Sequence, residues 1–349
     1  MHETERDLLR HHGDVEVAPG MLDFAVNVRG EGPPAWLRER LAAKLAGLGR
    51  YPSEAEDLAA RRVVAARHGR DPDEVLLLAG GAEGFSLLPR LQPRLAALVH
   101  PSFTEPELAL REAGVDVQRV ILDAPYRLDP ALVPDAADMV VLGNPTNPTS
   151  VLHPAEHVLA LRRQGRLVVV DEAFADATVD EVTGVAEPQS VADLSLPDVL
   201  VLRSLTKTWA LAGLRCGYAL GGPEVLERLK QGRAHWPLSS LQVEAIAACS
   251  EPDAVAQSHA QARAIAAERV VMAGLLAEAP VRIALPAFGP FLLLEVRDGE
   301  LVRKRLRERG IAVRRGDTFP GLSTDHLRVA VRTRDDVVRL VDALRQVCR

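Results

Sequence analysis

From about Val75 to Leu220, short apolar runs alternate with stretches that have helical periodicity. Several runs, such as Val168–Val170, are apolar on both faces, which is typical of strands buried on both sides of a mostly parallel sheet. The pattern therefore predicts an α/β fold with a mostly parallel seven-stranded sheet flanked by helices. The predicted strands are Val75–Ala79, Leu95–Val99, Val117–Leu122, Met139–Leu142, Leu167–Val170, Val199–Leu202 and Cys216–Leu220.

Helical patterns separate these runs, and the pattern changes near Pro237. The predicted helices before that point include Asp57–Arg67 and Pro154–Arg163, with Pro154 as a first-turn residue. Beyond it we predict a smaller α+β unit: helices Ala254–Glu278 and Leu301–Arg309, strands Phe291–Val296, Ile311–Arg314 and Leu327–Val331, and a last helix with Thr333 and Asp336 as a capping box. We expect a large domain over 49–250 and a small domain formed by 1–48 and 251–349.

Composition supports a globular chain. The hydrophobic fraction is 47%, charged residues make up 26%, and the net charge is −6. Mixed charges of this kind do not favour nucleic-acid binding, and no apolar run reaches the roughly 18–20 residues that span a bilayer. The charged start Met1–Asp7 does not resemble a signal peptide. Three scattered cysteines argue against a disulfide framework and a zinc site, so we expect a cytoplasmic protein without a metal.

Lys207 lies just after the apolar run Val199–Leu202, with Ser204 and Thr206 before it and Arg215 eight residues further on. A lysine in a water-poor pocket can lose its proton and attack a carbonyl group. Hydroxyl groups and an arginine nearby can bind a phosphate. Together they suggest a Schiff-base lysine for a phosphorylated aldehyde, pyridoxal phosphate. The alternative is a solvated surface lysine.

Two polar residues follow predicted strands at the same edge of the sheet, where α/β sheets bind ligands. Asp171 comes directly after Leu167–Val170, and a buried carboxylate there could keep a pyridine nitrogen protonated. Asn144, in the turn Gly143–Thr149, could donate a hydrogen bond to the phenolic oxygen of the cofactor. The alternatives are a helix cap for Asp171 and an ordinary Asn-Pro turn for Asn144.

Three further groups complete the candidate site. The loop Gly80–Gly84 follows a strand and opens a helix, so its N–H groups could approach a phosphate, although it matches neither a dinucleotide fingerprint nor a P-loop. Phe103 could stack on a ring or belong to the core. Arg314 and Arg328 could bind a substrate carboxylate or phosphate, or be solvated charges at a sheet edge.

In this order along the chain, these groups resemble the fold-type I pyridoxal-phosphate enzymes (class I and II aminotransferases), and within them the branch of histidinol-phosphate aminotransferase and threonine-phosphate decarboxylase. The resemblance runs from Leu22–Asn27 to Leu327–Val331 and is most specific over Ser204–Tyr218. It implies pyridoxal 5'-phosphate as cofactor, a small phosphorylated amino substrate, and a homodimer with shared active sites.

The resemblance also implies roles for single residues. Lys207 and Asp171 would be catalytic, with Lys207 forming the Schiff base and Asp171 pairing with the pyridine nitrogen. The substrate would face Asn27, Arg314 and Arg328. The remaining cofactor contacts would come from Gly81, Ala82, Glu83, Ser204, Thr206 and Arg215 at the phosphate, Phe103 and Asn144 at the ring, and Tyr51 at the phosphate of the partner subunit's cofactor.

Two positions depart from the aminotransferase pattern. Phe174 stands where those enzymes usually have a tyrosine, and Ser150 stands where glycine is customary after the Asn-Pro turn. The sequence favours transamination of a histidinol-phosphate-like substrate with 2-oxoglutarate and glutamate as partners. Decarboxylation of threonine phosphate for cobalamin synthesis is the alternative, because the motif around Phe174 fits it better. A pyridoxal-phosphate-binding protein without turnover and an α/β binding protein without the cofactor also remain open.

Overall fold

The computed structural model describes residues 3–348. Met1, His2 and Arg349 lie outside it, so the charged start is described only from Glu3 onward. The helices are α1 (Glu3–Leu9), α2 (Ala35–Lys44), α3 (Glu54–His68), α4 (Gly81–Leu87), α5 (Glu105–Glu112), α6 (Ala155–Leu159), α7 (Pro223–Lys230), α8 (Ser240–Ser250), α9 (Pro252–Leu276), α10 (Gly299–Glu308) and α11 (Arg334–Val347). The strands are β1 (Leu22–Asp23), β2 (Val75–Leu78), β3 (Leu95–His100), β4 (Asp116–Ile121), β5 (Met139–Gly143), β6 (Leu167–Asp171), β7 (Val199–Ser204), β8 (Gly217–Leu220), β9 (Arg282–Ile283), β10 (Phe291–Glu295), β11 (Ile311–Ala312), β12 (Arg314–Arg315) and β13 (His326–Ala330).

The predicted seven-stranded sheet is confirmed. Its strand order is β2-β8-β7-β6-β5-β3-β4, and only β8 runs antiparallel to its neighbours. The central strands are buried on both faces, as the continuous apolar runs require. Gly143 lies beside Asp171, and Asp171 lies beside Leu202, so the carboxyl ends of β5, β6 and β7 meet at one edge. That edge carries the candidate chemistry.

The smaller unit contains a four-stranded antiparallel sheet in the order β12-β13-β10-β9. Its core combines apolar residues of β10 and β13 with the stripe Leu340, Val341 and Leu344 of α11. In β12 and β13, Arg314 and Arg328 are directly opposite each other. This register places two guanidinium groups on neighbouring strands.

The first 48 residues contact both units. Leu22 and Asp23 pair with β11, and Phe24 is buried in the core of the smaller unit. In α2, by contrast, Leu37 is buried in the core of the large sheet, and the Trp36 ring makes an edge contact with Trp209 at 5.6 Å. The proposed boundary near residue 48 stays a prediction.

Two predictions about helix ends need correction. Thr333 is the N-cap of α11 and accepts the Asp336 N–H at 3.4 Å, but its hydroxyl donates to the Asp336 carboxylate at 2.7 Å, so the capping box is only half formed. Pro154 is an N-cap rather than a first-turn residue, and α6 ends at Leu159. The Arg166 side chain donates to the Leu161 carbonyl at 3.1 Å, which satisfies this carbonyl beyond the end of the helix.

Within residues 3–348, none of the helices has both the length and the apolar character that crossing a membrane demands.

Candidate active site

A cavity of about 520 Å³ opens at the carboxyl edge of the large sheet, where the smaller unit packs against it. Strand ends from the large sheet form one side, and residues of β12, β13 and the segment after β1 form the other. Eleven of the residues singled out in the sequence line this cavity: Asn27, Gly81, Ala82, Phe103, Asp171, Ser204, Thr206, Lys207, Arg215, Arg314 and Arg328.

Lys207 differs from the other three lysines of the chain. Lys44, Lys230 and Lys304 each lie within 3 Å of a glutamate carboxylate at the surface. Lys207 lies in the cavity instead, and burial, together with the charges of Arg328 and Arg215, lowers its pKa to about 8. A lysine with this pKa is partly unprotonated near neutral pH, which is the state that attacks carbonyl groups.

Asp171 is the last residue of β6 and lies in the same cavity. Its carboxylate accepts the Ala173 N–H at 3.0 Å, yet burial, together with the charge of the neighbouring Glu172, raises its pKa to about 6, although the charge of Lys207 acts in the opposite direction. A buried carboxylate with no ion-pair partner among the described residues is unfavourable in the folded protein. Asp171 therefore fits a positively charged group brought into the cavity.

The cavity has an anion-binding end, formed by the start of α4, the residues after β7, and Arg215. Gly80 has φ 82°, and a Cβ atom at this position would lie 3.1 Å from Nη2 of Arg215. A Cβ atom at Gly217 would lie 2.9 Å from the backbone nitrogen of Gly81, so the approach of α4 to β8 requires glycine. The first N–H groups of α4 have no partner within the helix, and they converge here with the Ser204 hydroxyl and the Arg215 guanidinium.

Aromatic rings cover two sides of the cavity. Phe103 packs near Phe85, with ring centroids 5.9 Å apart. Phe174, where the resemblance expects a tyrosine, makes an edge contact with Phe291 at 5.0 Å. A phenyl ring cannot donate a hydrogen bond, so any polar contact on this side of a bound ring has to come from another residue.

Two buried arginines face the cavity from the smaller unit. Burial lowers the pKa of Arg328 to about 9 and that of Arg314 to about 10, and the positive charge of Arg314 adds to the effect on Arg328. In the described part of the chain, neither guanidinium has a carboxylate within ion-pair distance. Beside them, both polar atoms of the buried Asn27 side chain lack a hydrogen-bond partner among residues 3–348. Like charges held together out of water favour a bound anion.

The position predicted for Asn144 needs correction. Its side-chain oxygen accepts the His153 N–H at 2.8 Å, and its amide donates to the carbonyls of His153 and Gln189. It is therefore fully engaged with the backbone and lies outside the cavity lining. The amide that faces the cavity belongs to Asn147, whose Oδ1 accepts from Nη1 of Arg328 at 2.8 Å.

Glu83 and Tyr51 also lie outside the cavity lining. The Glu83 carboxylate accepts the Ala79 N–H at 2.6 Å and pairs with Arg233 at 2.7 Å, so it holds the loop from behind and repels an anion. The prediction that Glu83 contacts a phosphate is corrected accordingly. Tyr51 is 72% exposed and stacks on Trp236, with ring centroids 4.1 Å apart.

Several lining residues were not expected from the sequence. His12 and Asp14 reach the mouth of the cavity from the N-terminal segment, where the His12 ring lies 5.4 Å from Phe103 and bonds to Glu105. Asn147 had a signal, since it opens the second Asn-Pro pair of the same turn. His12 had no such signal in the sequence, because its neighbours in the fold, Phe103 and Glu105, are some ninety residues away along the chain.

Comparisons with known proteins identify the family of the chain. Residues 19–344 match the model of the family described as aminotransferase class I and II. A histidinol-phosphate aminotransferase of Mycobacterium tuberculosis is 58% identical over 93% of this chain and 87% of that relative. Among solved structures, histidinol-phosphate aminotransferase from Clostridium acetobutylicum has a TM-score of 0.85 at 22% identity, covering 94% of this chain and 99% of its own. L-threonine-O-3-phosphate decarboxylase from Porphyromonas gingivalis has a TM-score of 0.78 at 22% identity, covering 93% and 98%.

Proposed function

The chain belongs to the aminotransferase class I and II family, and we propose that it transfers the amino group of a phosphorylated, histidinol-phosphate-like substrate, with 2-oxoglutarate and glutamate as partners. The observation that carries the proposal is that Lys207, Asp171 and two arginines with no carboxylate partner among the described residues line one cavity. The relative that is 58% identical and named as a histidinol-phosphate aminotransferase supports the choice of substrate.

Members of this family use pyridoxal 5'-phosphate, which when bound supplies an electron sink for the bonds at the substrate α-carbon. The cavity fits this group, because no described residue forms an ion pair with Asp171 and the glycines at the start of α4 leave a cradle beside Arg215. Asp171 would face the pyridine nitrogen, and Phe103 would cover the ring. Ser204, Thr206, Arg215 and the N–H groups of Gly81 and Ala82 would hold the phosphate.

The remaining side chains bind substrate and move protons. Lys207 Nζ, with a pKa of about 8, can both accept and return a proton near neutral pH. Arg328 and Arg314 bind the anionic end of the substrate, and Asn27 supplies a further donor and acceptor. Which bond at the α-carbon breaks depends on how these groups orient the substrate.

Asn147 takes the place predicted for Asn144 at the polar edge of the ring. We expect Asn147→Ala to lower kcat/KM by roughly tenfold or more, because Arg328 loses a bond that orients it, while the free energy of unfolding changes little. Asn144→Ala removes bonds to two backbone segments and should destabilise the protein by about 2–4 kcal/mol.

Urea unfolding and steady-state kinetics of both variants separate these two roles. A stable, inactive Asn144→Ala beside a fully active Asn147→Ala would contradict the exchange of roles.

A homodimer with shared sites is part of the proposal. Tyr51 and Trp236 form a stacked pair that is largely exposed in the single chain, which suits a residue that reaches a partner's site. The three cysteines are free thiols, which supports a reducing compartment such as the cytoplasm.

A second reaction fits the same two arginines. An amino acid that carries both a carboxylate and a phosphate, such as threonine phosphate, has one anion for each guanidinium. Decarboxylation would follow if the carboxylate, rather than the α-hydrogen, is held perpendicular to the ring. Transamination remains the main proposal because of the 58% identical relative.

One pair of incubations decides between the two reactions. Holoenzyme with histidinol phosphate and 2-oxoglutarate should form glutamate, whereas threonine phosphate alone should release no carbon dioxide. Carbon dioxide release without glutamate formation would establish the decarboxylase. If neither product forms, turnover of both substrates is refuted.

Arg328→Gln should raise KM for the phosphorylated substrate and lower kcat/KM by roughly 100-fold, because a buried charge-assisted contact is lost. Arg315→Gln is the matched control. Arg315 follows Arg314 in β12 and lies outside the cavity lining, where its side chain pairs with Asp317 at 2.7 Å. Initial-rate kinetics over a range of substrate concentrations measure both variants, and equal losses in the two would argue against a specific role for Arg328.

A further inference from the structure

We propose that Ser150 is a positioning and specificity-determining residue. Its hydroxyl ties the loop that carries Asn147 to the segment of the smaller unit that leads into β10, and so fixes the position of Arg328 in the cavity. The kinetic part of this inference rests on the proposed transamination, whereas the structural part does not.

The backbone at Ser150 points to a purpose for its side chain. Ser150 has φ 64°, in the left-handed region that favours glycine, and it is completely buried. A residue with a Cβ atom is held in this conformation only where the surroundings fix it strongly, and such positions concentrate at functional sites. Glycine would relieve the strain, and what serine adds at this position is a hydroxyl group that accepts a hydrogen bond.

The contacts of Ser150 cross from one unit to the other. Its Oγ accepts the Gly289 N–H at 2.8 Å, and its carbonyl oxygen accepts the Phe288 N–H at 2.8 Å. Its own N–H donates to the Thr146 carbonyl at 2.7 Å and closes the loop around Asn147. A Cβ atom at Gly289 would lie 3.1 Å from Ser150 Oγ, so this approach favours glycine on the other side.

The segment that receives Ser150 is itself held firmly. Arg269 of α9 donates to the carbonyls of Phe288 at 2.8 Å and Gly289 at 3.2 Å. The next residue, Pro290, accepts the Val331 N–H at 2.9 Å. The hydroxyl of Ser150 therefore bonds to a fixed part of the smaller unit rather than to a flexible loop.

Both ends of this connection reach Arg328. On one side, Asn147 in the Ser150 loop accepts from the Arg328 guanidinium at 2.8 Å. On the other, Val151 packs with Leu293 of β10, and Leu293 is directly opposite Arg328 in the sheet. The loop thus orients the Arg328 side chain and also fixes the position of the strand that carries it. Because Lys207 lines the same cavity, a fixed position of Arg328 selects substrates by the length between their amino group and their anion.

Two variants test the inference. Ser150→Ala removes the hydroxyl that accepts the Gly289 N–H but keeps the Cβ atom and therefore the backbone strain. Ser150→Gly removes the hydroxyl and the strain together. In the holoenzyme, amide hydrogen exchange over residues 284–294 should become about tenfold faster in both variants. Gln92→Gly is the control, because Gln92 also has a positive φ (51°) but is exposed and outside the cavity lining.

The kinetic measurement compares glutamate with aspartate, which is one methylene shorter. We expect the KM for glutamate to rise about five- to tenfold in Ser150→Gly with kcat changed less than about twofold, and the preference between the two amino acids to narrow. Unchanged exchange over 284–294 in both variants would overturn the inference. If exchange rises while the wild-type protein shows no transamination, the positioning role stands and the proposed function fails.

Should Ser150→Ala not fold, Gly289→Ala replaces it. The added methyl group presses on the Ser150 hydroxyl from the other side, so the same faster exchange is expected, and its absence contradicts the inference.

Discussion

Replacing Lys207 with alanine is expected to abolish turnover, with kcat lower by roughly four orders of magnitude or more. Lys207 is the lysine that the fold places in the cavity, and its pKa of about 8 makes it both a nucleophile and a proton carrier. Removing a buried charge without a carboxylate partner should leave the protein folded. Steady-state kinetics with glutamate formation as readout, together with thermal unfolding, measure both effects.

Two further variants make the Lys207 result specific. Lys207→Arg keeps a positive charge that cannot be removed near neutral pH, so it should be as inactive as the alanine variant. Lys304→Ala changes a surface lysine paired with Glu300 at 2.6 Å and should keep normal turnover. Activity in Lys207→Arg close to that of the wild type would mean that the position needs only a positive charge.

Replacing Asp171 with asparagine is expected to have two opposite effects. Turnover should fall by roughly 100- to 10,000-fold, because the neutral amide no longer favours a protonated ring nitrogen. The protein without cofactor should become more stable at pH 7, by about 2–3 kcal/mol. A residue that weakens the folded protein and is required for activity belongs to the functional site.

The direction of the pH effect follows from the pKa of Asp171. Burial raises this pKa from 3.8 to about 6, so the folded protein binds a proton between these values that the unfolded chain does not. Stability is therefore lost as the pH rises from about 4 to 6, and the advantage of the asparagine variant should appear above pH 6 and vanish near pH 4. Urea unfolding of the cofactor-free proteins at pH 4 and pH 7 measures the difference.

Asp180→Asn provides the contrast. Backbone N–H groups of Thr183 and Val182 lower the pKa of Asp180, so this substitution should not stabilise the protein at pH 7. Equal stabilisation by both substitutions would show that net charge, and not the cavity, is responsible.

The large sheet could be predicted because its strands are buried on both faces, which makes them continuous apolar runs. Val168–Val170 is such a run, and the polar residue that ends it, Asp171, lies at the carboxyl edge as expected. Lys207 and Arg215 could be placed in the same way, since each lies beside a strand end. Local pattern alone therefore located most of the cavity.

The choice between Asn144 and Asn147 could not be made from local pattern. Both precede a proline in one turn, and either amide could face a ligand. What separates them is that Asn144 bonds to His153 and Gln189, and these partners come from 9 and 45 residues further along the chain. Glu83 was misplaced for a similar reason, because its partner Arg233 lies 150 residues away.

The smaller unit was harder to place for a related reason. Its short strands β11 and β12 have only two residues each and are defined by their neighbours. The pairing of Arg314 with Arg328 depends on the register between β12 and β13, and the residues of either strand alone do not reveal this register.

The central claim is that Lys207 carries the cofactor, and the chain contains only four lysines against which to test it. Holoenzyme reduced with borohydride, digested and analysed by mass spectrometry should carry the pyridoxyl group on the peptide that contains Lys207. Peptides with Lys44, Lys230 or Lys304 should be unmodified. A pyridoxyl group on one of those three lysines, or on none of the four, would contradict the account.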